Sequence, residues 1–128
     1  MIIRLDLQSE VPIYTQLKHT IIEGIAAKEL TPGEALPSVR AMAADLGVNM
    51  HTVNKAYQAL KQGGFIHIHR QKGVVVNPDG MPPNDDVFVE RVQSDLRPLV
   101  TEAVCRGMSS EQFLQFCSEL FAEFKEKE

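Results

Sequence analysis

Residues 36–64 read L-P-S-V-R-A-M-A-A-D-L-G-V-N-M-H-T-V-N-K-A-Y-Q-A-L-K-Q-G-G. Two amphipathic helical patterns lie back to back in this stretch. Pro37 opens the first, and Val39, Met42, Ala43 and Leu46 repeat at helical spacing to form its apolar stripe. Gly47 supplies the stop, because glycine accepts the left-handed backbone that ends a helix. Asn49 then suits an N-cap, with Val48 and Val53 at the two ends of a hydrophobic staple. Val53, Ala56, Tyr57 and Leu60 face inward, and Gly63-Gly64 closes the helix. Two helices joined by about three residues around a glycine form a helix-turn-helix.

On either side the pattern extends. Upstream, Pro12 suits a first helical position, and Ile13, Leu17, Ile21 and Ile25 follow every fourth residue, giving a helix to about Lys28. Downstream, the run Phe65–His69 and the run Val74–Val76 are β-type, with Arg70-Gln71-Lys72-Gly73 as a polar turn between them. Three helices followed by a basic hairpin make a winged helix-turn-helix. The fold class expected is mostly α with a small β-hairpin, followed by a helical C-terminal dimerisation segment.

The segment N-P-D-G-M-P-P-N-D-D, residues 77–86, carries three Pro, one Gly and three Asp, and it continues neither helix nor strand. It divides the chain into a DNA-binding domain, residues 1–78, and a linker with a helical dimerisation domain, residues 79–128. In the second part Phe88, Val92, Leu96, Leu99 and Ala103 form one helical stripe, which Pro98 is expected to kink or split near Arg97. Ser109-Ser110-Glu111-Gln112 reads as a capping box. Beyond it Phe113, Phe116, Cys117, Leu120, Phe121 and Phe124 make a broad second stripe. Two helices are marginal as a core of their own. Their apolar faces call for cover by the winged helix or by another subunit; an isologous dimer is the economical solution, and folding back onto the first helix is the alternative.

Charge follows the same division. The 128 residues carry a net charge of −4. Residues 1–78 hold eight Lys/Arg against six Asp/Glu, +2, and residues 79–128 hold five against eleven, −6. Within 36–72 the positives are Arg40, Lys55, Lys61, Arg70 and Lys72, and Asp45 is the one negative. A basic patch on an otherwise acidic chain is the electrostatic mark of a nucleic-acid binder. Opposite the inward residues of the third helix lie Met50, His51, Asn54, Lys55 and Gln58. Such a helix fits the DNA major groove, where Asn and Gln pair with adenine, and Lys55 has two targets, guanine or a phosphate. His51 and Thr52 are placed to donate at the helix N-terminus. Arg40 is open to a phosphate or guanine contact, or to an ion pair with a neighbour such as Asp45. Arg70 and Lys72 at the hairpin tip are placed for phosphates or the minor groove.

The excluded classes are as informative. Two cysteines, Cys105 and Cys117, are too few for a disulfide scaffold; their places on helical stripes suggest small buried residues. His67 and His69 share a strand face, but no third ligand lies at metal-site spacing, so no metal and no cofactor are expected. No nucleophile–base pair or phosphate-binding glycine loop occurs, and no enzyme is expected. No stretch approaches a membrane span and no signal peptide is evident, so a cytoplasmic location is expected.

At this point the residues resemble a known family. P-I-Y-T-Q-L at 12–17, L-T-P-G-E-A-L-P-S-V-R at 30–40, A-A-D-L-G-V-N at 43–49, H-T-V-N-K-A-Y at 51–57, G-G-F-I at 63–66 and R-Q-K-G-V-V-V at 70–76 together resemble the GntR family of bacterial transcription regulators. The tail, with A-V-C-R-G-M-S-S-E-Q-F-L-Q-F at 103–116, is similar to the YtrA-type subfamily, whose members carry a small two-helix dimerisation domain. The resemblance implies a homodimeric regulator that binds a double-stranded DNA operator, often a repressor of its own operon, frequently one encoding a transporter. It implies DNA contacts from Arg40, from Asn49, Met50, His51, Thr52, Asn54 and Lys55, and from Arg70, Lys72 and Gly73 of the wing. Gln71 stands where the family has its first wing glycine, Val74-Val75 replace its Thr-Phe pair, and Met50 stands where the subfamily often has Pro. Dimerisation is expected from Phe88, Val92, Leu96, Leu99, Phe113, Phe116, Leu120, Phe121 and Phe124. A second reading is a regulator gated by a small-molecule effector bound between the dimer helices or beneath the wing, with Phe113, Phe116 and Phe121 as the lining. A third is an adaptor that uses a winged helix to bind protein and has no salt-sensitive affinity for DNA.

Overall fold

The computed structural model describes residues 3–125 and divides into two compact units, residues 1–82 and 83–128. The first unit runs α1 (Ile13–Ala26), β1 (Ala35–Leu36), α2 (Val39–Leu46), α3 (Met50–Gln62), β2 (Ile66–His69) and β3 (Gly73–Val76). The second holds α4 (Asp86–Cys105) and α5 (Ser110–Lys125). The winged helix-turn-helix followed by two C-terminal helices is therefore the fold.

α3 is the hub of the first unit, packing on α1, α2 and β2. Its inward residues Val53, Ala56, Tyr57 and Leu60 are all fully buried, against Leu17 and Ile21 of α1, Met42 and Ala43 of α2, and Ile66 and Val76 of the sheet. Burying each large side chain of this kind is worth about 1.5–3 kcal/mol. Ile3 and Leu5 of the N-terminal arm also pack against this core. The Gln16 side chain latches the arm: it donates to the Asp6 and Val11 carbonyls, each at 2.9 Å, and accepts from the Asp6 N–H at 2.8 Å.

The helix ends follow from local chemistry, with three shifts from expectation. Pro12 lies at the N-cap of α1 and not at its first helical position. Pro37 lies just outside α2; Ser38 is the cap, its hydroxyl accepting from the Ala41 N–H at 3.0 Å. α1 stops at Ala26 instead of Lys28, and Lys28 takes a positive φ of 62° in the turn that follows. Gly47 does end α2 in the left-handed region, at φ 69°.

The sheet has three strands rather than a bare hairpin. β3 lies in the middle, antiparallel to β1 (Ala35 opposite Val75) and to β2 (His67 opposite Val75, His69 opposite Gly73). The two-residue β1 carries no periodicity of its own and was absent from the sequence reading. Val74, Val75 and Val76 are all buried instead of alternating, so both faces of β3 are covered along this stretch.

In the second unit Asp85 caps α4, accepting from the Phe88 N–H at 2.9 Å. The Ser109 hydroxyl accepts from the Gln112 N–H at 3.1 Å at the start of α5. Pro98 does not split α4, which runs unbroken through it. The helix is exposed along this stretch, so water can satisfy the carbonyl that proline leaves without a donor. No described residue of α4 or α5 is buried.

Candidate nucleic-acid interface

The polar face of α3 is built by its buried face. With positions 53, 56, 57 and 60 pinned in the core, positions 50, 51, 54, 55 and 58 emerge together on the other side. Met50, His51, Asn54, Lys55 and Gln58 are exposed, and Thr52 is half-buried. Asn49 caps the helix; its Oδ1 accepts from the His51 N–H at 2.7 Å. That oxygen is occupied, so what Asn49 offers outward is its amide N–H donors.

Arg40 is the second residue of α2 and is exposed. Among the described residues it forms no ion pair, with Asp45 or any other carboxylate. The start of α2 is tied to α3 by a bond that sequence reading did not anticipate. The Tyr57 hydroxyl, on a fully buried ring, donates to the Pro37 carbonyl at 2.8 Å across 20 residues. Burial pushes the Tyr57 phenol up from 10.0 to about 12.

At the wing, Arg70, Gln71 and Lys72 are exposed in the turn between β2 and β3. Gly73 has φ 75°, with open space where a side chain would point. It is therefore needed for backbone conformation, and Gln71, which has no positive φ, stands in the turn without strain. The His67 and His69 rings meet edge to face at 5.7 Å. Among the described residues no group of three or more His, Cys, Asp or Glu is placed to hold a metal.

A further contact links α3 to α1. The Lys55 Nζ sits over the Tyr14 ring, 4.1 Å from its centroid. Nothing local in the sequence signals this pair, because 41 positions separate the two residues.

The second unit carries the other candidate surface. Phe88, Val92, Leu96, Leu99, Phe116, Leu120 and Phe121 are exposed, and Phe121 is 76% accessible. Phe113 and Phe124 are half-buried. The expectation of buried cysteines is corrected here: Cys105 is exposed and Cys117 half-buried, both free thiols, because α4 and α5 enclose no interior of their own. A cavity of about 250 Å³ opens between these helices, lined by Leu99, Glu102, Ala103, Arg106, Met108, Phe113 and Phe116. Phe121 is not part of that lining. No described helix is long and apolar enough to cross a membrane.

Comparison with known proteins bears on both units. Residues 13–76 match the model of bacterial regulatory proteins of the gntR family. The chain is 28% identical to the HTH-type transcriptional repressor YtrA of Bacillus subtilis, over 96% of this chain and 95% of that protein. It is 33% identical to the HTH-type transcriptional regulator Rv1152 of Mycobacterium tuberculosis, over 59% and 62%. Among solved structures, a transcriptional antiterminator from Listeria monocytogenes aligns with TM-score 0.87 at 26% identity, covering 94% of this chain and 90% of that one. YtrA from Sulfolobus acidocaldarius, a GntR-family transcription factor, aligns with TM-score 0.57 at 39% identity, covering 94% and 97%.

Proposed function

The chain belongs to the gntR family of bacterial regulatory proteins, which are DNA-binding transcription regulators and not enzymes, and from that premise we propose that it is a homodimeric repressor. Residues 1–78 bind a palindromic operator and residues 79–128 hold two protomers together. The observation that carries this reading is the exposed polar face of α3, backed by a fully buried opposite face and followed by a basic wing tip. His51, Asn54 and the Asn49 amide lie at the helix end that reaches base edges in the major groove. Arg40, Arg70 and Lys72, with no ion-pair partner among the described residues, supply charge for phosphates. Met50, Thr52 and Gly73 complete the face. The repressor role is supported by the name of the Bacillus relative, which spans nearly the whole chain.

Dimerisation is supported by the apolar surface of α4 and α5. Phe88, Val92, Leu96 and Leu99 on one helix, with Phe116, Leu120 and Phe121 on the other, are exposed in a single chain, and Phe113 and Phe124 beside them are only half-buried. Contiguous exposed apolar area of this kind marks an association surface. A two-fold dimer would place two copies of α3 on half-sites about one helical turn apart, roughly 10 bp or a multiple. Sedimentation equilibrium of the full chain tests the dimer. Footprinting upstream of its own gene tests the operator, where two protected half-sites related by a two-fold axis are expected.

A second reading, regulation by a small-molecule effector, is favoured by the cavity at Leu99, Phe113 and Phe116. Its lining is mostly apolar, with Glu102 and Arg106 paired at 2.7 Å on its rim. Thermal-shift screening checks it; stabilisation by a compound that also changes operator affinity would support gating.

A further inference from the structure

On the DNA-binding reading, Lys55 has two open targets, a base edge or a backbone phosphate. We propose that Lys55 is a phosphate contact and not a base reader, and that Tyr14 is the positioning residue that holds it there. The argument begins with the platform. Tyr14 is half-buried on α1 and packs against the hydrophobic core, so its ring is fixed by the fold. The Lys55 ammonium rests on that ring at 4.1 Å, within the range of a cation–π contact. Lys55 therefore directs its charge sideways, across to the ring on α1. Base edges are probed by the N-terminal residues of a recognition helix, and Lys55 is the sixth residue of α3, past that first turn.

Two further observations agree. Lys55 is exposed, and no carboxylate among the described residues lies within ion-pair distance of it, so its charge is available to an anion. An ammonium seated on a ring face keeps its charge and keeps N–H donors pointing away from the ring. Tyr14 also restricts a long, flexible side chain, which lowers the ordering cost when a phosphate arrives. The pair thus tunes affinity and salt dependence without choosing the sequence that is bound.

The test uses the full chain and four variants: Lys55→Ala, Tyr14→Leu, Tyr14→Phe and the Tyr14→Leu/Lys55→Ala double. Each is titrated by fluorescence anisotropy on a random-sequence duplex and on the duplex that wild type enriches from a randomised library. Lys55→Ala should weaken both duplexes by the same factor, about fivefold at low salt, and flatten the log–log salt slope by about 1. Tyr14→Leu should lose about two- to threefold in the wild-type background and nothing further in the Lys55→Ala background, while Tyr14→Phe, which keeps the ring, stays near wild type. NMR supplies a readout that does not depend on variant folding: ring current from Tyr14 should move the Lys55 methylene protons upfield in the wild type.

A Lys55→Ala protein that enriches a different base sequence, or keeps the full salt slope, would overturn the phosphate assignment. Tyr14→Leu losses of equal size with and without Lys55, or Lys55 protons without an upfield shift, would overturn the positioning role. Wild-type protein with no salt-sensitive affinity for either duplex would bring down the DNA-binding reading itself, and this inference with it.

Discussion

The two units use their apolar residues in opposite ways. In the first, Leu17, Ile21, Val53, Ala56, Tyr57, Leu60, Ile66 and Val76 are wholly withdrawn from water. In the second, no described residue of either helix is buried, and large side chains such as Val104, Leu114 and Phe121 are well over half exposed. The helices themselves are equally well formed, with side-chain caps at Asp85 and Ser109 matching those at Ser38 and Asn49. The difference teaches that capping and periodicity make a helix, whereas a core needs a third surface. The first unit finds that surface in its own sheet and in α1. On the dimer reading the second finds it in another chain.

The largest effect that sharpens this contrast is expected in the first core. Leu60→Ala should cost about 2–5 kcal/mol in urea denaturation, since a buried leucine leaves both lost transfer energy and a cavity. If the loss were under about 1 kcal/mol, α3 would not be the hub that its burial indicates.

Next comes the second unit, where the loss should appear as dissociation and not as unfolding of the first. Phe116→Asp should weaken the dimer by about 2 kcal/mol or more, read by sedimentation as a rise in monomer. The winged domain of that variant should melt as in wild type. A variant that stays as associated as wild type would move the interface elsewhere.

Arg40→Ala is a surface change without structural partners among the described residues, so protein stability should hold while operator binding weakens by about 1–3 kcal/mol. A neutral gel-shift titration would remove Arg40 from the interface.

Tyr57→Phe is the smallest change, a lost hydroxyl bond to the Pro37 carbonyl, worth about 1 kcal/mol. It carries a pH signature. The folded phenol ionises near 12 against 10.0 unexposed to burial, so its contribution is whole below pH 10 and is lost as pH rises toward 12. Alkaline unfolding should therefore be less steep in Tyr57→Phe over that window, as followed by circular dichroism.

Legibility followed the range of the interactions. α3 could be read because its cap, staple and stripe are all within 14 residues, and the polar face then followed from geometry. β1 could not, since two residues carry no period and owe their strand character to pairing with Val74 and Val75. The split that Pro98 could have caused does not occur, because an exposed helix can do without one hydrogen bond where water takes its place. Cys105 and Cys117 were expected to be buried from their places on helical stripes, but a stripe alone does not bury a residue, and in the single chain one thiol is exposed and the other half-buried. The Tyr57–Pro37 and Tyr14–Lys55 contacts join separate helices, and no local pattern encodes such pairs.

The most direct experiment is fluorescence anisotropy of the full chain on DNA from upstream of its own gene, at two salt concentrations, with random DNA as competitor. Tight binding that weakens with salt and resists the competitor is the expected result. Affinity equal to that for random DNA at both salts would contradict a sequence-specific repressor of its own operon.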